Sequence, residues 1–161
     1  MRVMVAYWLI ALAVFVLDQW TKVWAVHHLA HHGVRLDGVL NLVLVYNHGA
    51  AFGFLSNESG WQNGLFIAVA VIIVTAIIVF MVRAPRQGPL MKTALMMILG
   101  GAAGNLADRI RFGEVIDFID FHVGSWHWYT FNLADSAITV GAVLLAVDAW
   151  VSRRVAVPER R

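Results

Sequence analysis

Cysteine is absent from the 161 residues. That excludes disulfide staples, thiolate nucleophiles and cysteine-based metal centres. Charge is also scarce: 14% of the chain is Asp, Glu, Lys or Arg, against about 25% in an ordinary soluble domain. There is no Gly-x-Ser-x-Gly elbow, and Ser56, Ser59, Ser125 and Ser136 stand in no context that activates a hydroxyl. There is no HExxH, the helical zinc-peptidase signature, and no internal repeat or low-complexity tract. The net charge of +2 and pI of about 9.4 are modest, and the basic residues mark topology, so no nucleic-acid partner is expected.

What is abundant is apolar surface. Hydrophobic residues make up 60% of the chain, and its mean hydropathy is +0.72. A spanning helix needs roughly 20 residues, and four segments qualify: about residues 4–26, 61–82, 90–110 and 133–151. The second carries no charge at all. The third and fourth only just reach the length, so their polar ends are expected at the membrane surface. The N-terminal run lacks a small-x-small cleavage site and is too long for a signal-peptide core, so it reads as a retained first span. The expected fold is an all-α membrane protein, one domain over residues 1–161.

Lysine and arginine set the expected orientation. Arg2, Arg83, Arg86, Lys92, Arg153, Arg154, Arg160 and Arg161 fall on one side of the four spans, which the positive-inside rule makes cytoplasmic. Both termini are then inside, and the connections 26–60 and 110–132 face out. In the first, VLNLVLVYN and AAFGF are rich in β-branched and aromatic residues, so a small sheet on the outer surface is expected there. The second is expected as an outer loop, with Trp126, Trp128 and Tyr129 suited to the interfacial belt.

The polar residues that the apolar runs do not explain all fall at the outer boundary. They are Asp18 and Lys22, Asn47, Asn105 with Asp108 and Arg109, Asp117 and Asp120, and Asn132 with Asp135. Ionisable groups in a membrane are costly, and are usually paired and functional. Each has a plainer reading beside the functional one. Asp18 and Lys22, four apart, can be an intrahelical ion pair. Asn132 and Asp135 have the spacing of a capping box, with Asp in place of Glu. Gly100, Gly101 and Gly104 make a small-residue face for close helix packing. His27, His28, His31 and His32 have i, i+4 spacing that can chelate zinc, but Gly33 follows at once and a solvated cluster is the better reading. His48, His122 and His127 show no ligand spacing.

With thiols and activated serines gone, a pair of carboxylates sharing a proton is the remaining hydrolytic device. One takes a proton from the attacking water, and the other donates to the carbonyl and later to the leaving amine. Two other classes stay open. Acids and amides at one depth can line an ion path in a small transporter or proton-relay subunit. A non-catalytic scaffold binding lipid or partner helices is the third.

The motifs also resemble one family. DQWTK (18–22), NHGAAFG (47–53), GGAAGNLADR (100–109), EVIDF (114–118) and FNLADSAI (131–138) are similar, in order and spacing, to the signature blocks of lipoprotein signal peptidase, or signal peptidase II. The resemblance covers about residues 4–153. It implies an aspartic endopeptidase of the bacterial inner membrane, with its active site at the outer (periplasmic) face. The family removes signal peptides from diacylglyceryl-modified prolipoproteins, cleaving just before the lipidated lipobox cysteine, and is inhibited by globomycin. It implies a monomer in contact with membrane lipid, and no metal or other cofactor. Carried over, Asp117 and Asp135 are the catalytic dyad. Asn47, Asn105, Arg109 and Asn132 are substrate-binding, Asp18 and Lys22 are supporting, and Asp108 is expected to orient Arg109. Glu114 and Asp120 are expected to be supporting or solvated. Asp135 at a helix N-terminus, where negative charge is favoured, is expected to tend toward the base and Asp117 toward the acid.

Overall fold

The computed structural model describes residues 2–30, 33–35, 38–49, 61–84 and 86–155. It has four helices, α1 Arg2–Leu29, α2 Trp61–Arg83, α3 Pro89–Phe112 and α4 Leu133–Val155. All four are long and apolar enough to cross a membrane. Large apolar side chains such as Leu9, Val16, Ile72, Val82, Val143 and Trp150 remain exposed along them, which suits helices whose solvent is lipid.

α3 is the central helix and packs against α1, α2 and α4. Its small-residue face makes this possible. A Cβ on Gly101 would collide with the Ala134 carbonyl of α4, and one on Gly100 with the Ala11 carbonyl of α1. Both neighbours therefore approach α3 at backbone distance, closer than ordinary side chains permit. Toward the other end, Ala11, Ile77, Met81, Met96 and Leu99 form an apolar core.

The strands are β1 Val34–Arg35, β2 Leu40–Asn47, β3 Val115–Val123 and β4 Trp126–His127, paired antiparallel in the order β1-β2-β3-β4. The sheet expected in the first outer connection is present, but it is built from both. VLNLVLVYN supplies β2, and the stretch expected as a loop supplies β3. AAFGF lies outside the described residues. Alternation explains β3: Val115, Asp117, Ile119, Phe121 and Val123 point one way, Ile116, Phe118, Asp120 and His122 the other.

α1 runs past its expected end at Val26. Ala25 and Leu29 pack with Phe118 beneath the sheet, beside Trp24, Leu42 and Leu44, and this burial extends the helix. α3 ends on Gly113, which takes the left-handed conformation (φ 81°) and returns its N–H to the Arg109 carbonyl. That tight reversal starts β3 two residues later and puts it beside the last turn of α3.

Candidate active site

Phe131 bridges to β3: its N–H and carbonyl bond the Ile119 carbonyl and N–H at 3.0 and 2.9 Å. This places Asn132 next to Asp117 just before α4 begins. Asn132 is fully buried, and its Oδ1 accepts the Asp135 N–H at 2.9 Å while Asp135 Oδ2 accepts the Asn132 N–H at 3.2 Å. That is a reciprocal capping box. The Asn132 amide also donates to Asp117 Oδ1 at 2.8 Å.

Asp117 is 1% exposed. Its other oxygen accepts from Asn47 Nδ2 at 2.9 Å, and Asn47 Oδ1 accepts the Gly49 N–H, closing a local turn. Asp135 Oδ1 accepts from Asn105 Nδ2 at 2.8 Å. Both acids are thus held by neutral amides, with no cation in direct contact among the described residues. Burial first, and then the neighbouring Asp135 carboxylate, push the Asp117 pKa up to about 7, with the Asn47 and Asn132 amides opposing. Asp117 can therefore hold or release a proton near neutral pH.

The two acids line one cavity of about 580 Å³, with Asn47, Asn105 and Arg109. Trp128 to Phe131 form a second wall. A third runs along Ile138, Thr139 and Val140, where α4 is otherwise little covered. Arg109 Nη2 donates to the Gly49 carbonyl at 2.7 Å, and its guanidinium lies 4.5 Å from the Phe66 ring centroid. Among the described residues its buried Nη1 has no partner, a donor that faces the cavity residues.

Behind the cavity lies a charged cluster. Lys22 Nζ is 2.9 Å from Asp18 Oδ2 and 2.7 Å from Asp108 Oδ2, with all three side chains at most 1% exposed. The Asp18–Lys22 pair is the intrahelical ion pair that the spacing allows, and more. Lys22 also donates to Asn105 Oδ1 at 2.8 Å, so it orients the amide that holds Asp135. Asp18 Oδ1 accepts the Ala134 N–H at 2.9 Å, capping the first turn of α4 from α1. Asp108 does not orient Arg109 as expected. Its carboxylate turns to Lys22, to Gln19 Nε2 at 3.0 Å and to the Ile116 N–H at 3.3 Å. Neighbouring residues of a helix diverge by about 100°, so Asp108 and Arg109 serve different faces of α3.

Sequence reasoning passed over Gln19, whose amide ties α1 to Asp108 and to the Gly104 carbonyl. A polar side chain inside an apolar run was its only signal. Asp120 faces away from Asp117, and of the two expected roles, supporting or solvated, it is not solvated: it is 7% exposed and held by Asn41 at 2.8 Å and His127 at 2.9 Å. His122 and His127, without ligand spacing in sequence, come together on the β3–β4 hairpin. Glu114 meets His48 at 3.1 Å in a largely exposed pair. His31 and His32 lie outside the described residues.

Residues 10–151 match the family model described as Signal peptidase (SPase) II. The chain is 52% identical over 145 residues to the lipoprotein signal peptidase of Burkholderia ambifaria strain MC40-6, covering 89% of this chain and 87% of that one. It is 46% identical over 149 residues to the lipoprotein signal peptidase of Hydrogenovibrio crunogenus, covering 91% and 86%. A bacterial membrane enzyme structure obtained by the in meso method at 2.3 Å resolution superimposes with a TM-score of 0.81 at 29% identity, over 97% of this chain and 93% of the other. A second, at 1.9 Å, gives 0.76 at 31% identity, over 88% and 90%. A match from the first helix to the last, in sequence and in shape, places the chain in the signal peptidase II family.

Proposed function

We propose that this peptidase of the inner membrane is an aspartic endopeptidase in which Asp117 and Asp135 activate a water molecule. Its substrate is the diacylglyceryl-modified prolipoprotein, cut just before the lipidated cysteine. The observation that carries this reading is the pair itself. Two carboxylates from separate elements line one cavity, each held by neutral amides, and one of them has its pKa near 7.

Asp135 sits in the first turn of α4, where the helix dipole favours the ionised form. It takes the proton from water as the oxygen attacks the scissile carbonyl. Asp117, protonated, donates to the carbonyl oxygen and later to the leaving amine. In the free enzyme the two share one proton and titrate as a unit. Asn47, Asn105 and the Nη1 of Arg109 offer hydrogen-bond partners to the substrate backbone, and Asn132 holds both acids in register.

The cavity wall at Ile138 to Val140 supports a signal-peptide helix lying against α4, its cut site at the outer boundary and its acyl chains in lipid. Trp128 and Tyr129 cover the site from the outer side and limit water. No metal or cofactor takes part. The chain works as one domain and as a monomer, with both termini cytoplasmic and globomycin as an inhibitor. The buried charged side chains among the described residues lie at the outer end of the helices or in the sheet, which favours this reading over an ion path through the bilayer.

The test is cleavage of a purified diacylglyceryl-modified precursor in detergent. Asp117→Asn and Asp135→Asn should each abolish a globomycin-sensitive activity while the protein stays folded. Undiminished cleavage by either variant would sink the assignment.

A further inference from the structure

The β3–β4 hairpin carries a second cluster that the proposed reaction does not use. Asp120 and His122 share the face of β3 turned away from Asp117. Gly124, at φ 62°, reverses the chain, and His127 pairs across from His122. β2 adds Asn41, the register partner of Asp120. The two imidazoles lie nearly parallel, with centroids 5.2 Å apart and planes 16° apart. His127 Nδ1 is 2.9 Å from Asp120 Oδ1. Asn41 Nδ2 is 2.8 Å from Asp120 Oδ2 and 3.3 Å from His122 Nδ1. One ligand atom from each of Asp120, His122 and His127 lies within 4.8 Å of the others.

We propose that Asp120, His122 and His127 form a binding site for a divalent transition-metal ion of the zinc class. Two imidazoles and one carboxylate are a ligand set that zinc accepts, with the fourth position left to water. Donors about 2.1 Å from one ion stand about 3.4 Å apart in a tetrahedron, so side-chain adjustments of about 1 Å close the set. Asp120, buried, is the fixed ligand. The Asn41 amide holds its carboxylate, the kind of outer support that orients metal ligands. His127, 53% exposed, is the mobile ligand and the entry side. Binding needs neutral imidazoles, each presenting an unprotonated nitrogen to the ion, so the His127–Asp120 contact gives way to two bonds to the metal. β4 is only two residues long, and the metal ties it to β3. Trp128 and Tyr129, which follow at once, line the cavity of Asp117, so occupancy stiffens that wall.

The experiment uses the full chain in detergent, without a histidine purification tag and stripped of metal by chelation. Zn²⁺ titration should show one ion per chain and raise the unfolding midpoint by about 3 °C or more once free zinc exceeds its Kd about tenfold. Co²⁺ should give a visible d–d band with the same stoichiometry. Both signals should vanish in His122→Ala and His127→Ala. They should persist when His27 and His28 are both replaced by alanine, which separates this site from the histidines at the end of α1. Metal-free melting of each variant tests its fold. If alanine disrupts the hairpin, His122→Phe keeps ring stacking, removes the donor and decides the matter. No binding at millimolar Zn²⁺, or a site that survives loss of His122, would overturn the proposal.

Discussion

Two clusters of acids stand side by side in this molecule, buried at Asp18, Asp108 and Asp117 and half-buried at Asp135, and their partners differ in kind. Asp18 and Asp108 share the ammonium of Lys22 at 2.9 and 2.7 Å. Asp117 and Asp135 are held by the amides of Asn47, Asn132 and Asn105. A cation offsets the cost of burying a carboxylate beside it, which makes the first cluster a fixed clamp between α1, α3 and α4. An amide orients a carboxylate without neutralising it. The second cluster is therefore left to settle its charge by binding a proton, and that is what general acid–base chemistry requires. Asn105 joins the two, accepting from Lys22 and donating to Asp135.

The sharpest test of this contrast is to neutralise the acids. Asp117→Asn or Asp135→Asn should cut cleavage on the order of 10³-fold or more and leave a folded protein. Asp18→Asn should act instead through stability, by loosening the first turn of α4. Removing the cation comes next. Lys22→Met leaves two buried carboxylates facing each other and should cost about 3–5 kcal/mol, read as a lowered unfolding midpoint. Adding Asp18→Asn and Asp108→Asn to Lys22→Met should recover much of that loss. If the triple variant melts no higher than the single, the clamp is not electrostatic.

The proton-binding acid has the opposite signature. The Asp117 pKa is about 7 in the folded chain, against an ordinary 3.8. Between those values the folded chain holds a proton that the unfolded chain has released. The stabilisation from this group is thus fully present below about pH 4 and lost as pH rises through about 7. Asp117→Asn should flatten that slope and gain on the parent at pH 8. The gain should be on the order of 1–3 kcal/mol, since the new amide faces the donors of Asn47 and Asn132. A parent whose stability rises with pH over this window, with no change of slope in the variant, would contradict the assignment. Asn105→Ala should lower cleavage about 10–100-fold and shift its pH profile, because Asp135 then loses an orienting hydrogen bond. The smallest effect belongs to the exposed contrast case. His48→Ala breaks a solvent-screened pair with Glu114 and should change the melting midpoint by little, about 1 kcal/mol or less in stability.

Much of this was legible in the chain. Four apolar runs, the small-residue face of α3 and the capping box before α4 are local patterns with local causes. The partners of Asp108 are not legible in the same way, because adjacency to Arg109 in sequence does not mean a shared face on a helix. β3 resembles a loop in sequence because its apolar and polar residues do not separate cleanly between its faces. Val115 and Asp117 on one face and Ile116 and Phe118 on the other are all buried, so periodicity carries no signal. The His122–His127 meeting was hidden for a related reason: a hairpin makes neighbours of residues whose spacing depends on the turn.

By itself, the sequence determined the solvent, the number of spans and the depth at which polar groups gather. Those follow from the cost of placing charge in hydrocarbon, which every residue meets independently of the others. Beyond the local Asp18–Lys22 pair and the Asn132–Asp135 capping box, the tertiary structure alone decided which acid meets a cation and which meets an amide. Asp18, Asp108, Asp117 and Asp135 are the same side chain in similar apolar surroundings. They differ because Lys22 reaches Asp18 one turn away on α1 and, across the glycine-spaced contact with α3, Asp108, while β2, α3 and the residue before α4 present the amides of Asn47, Asn105 and Asn132 to the others. A carboxylate's protonation depends on what stands within a few ångströms of it, and only the fold sets that distance.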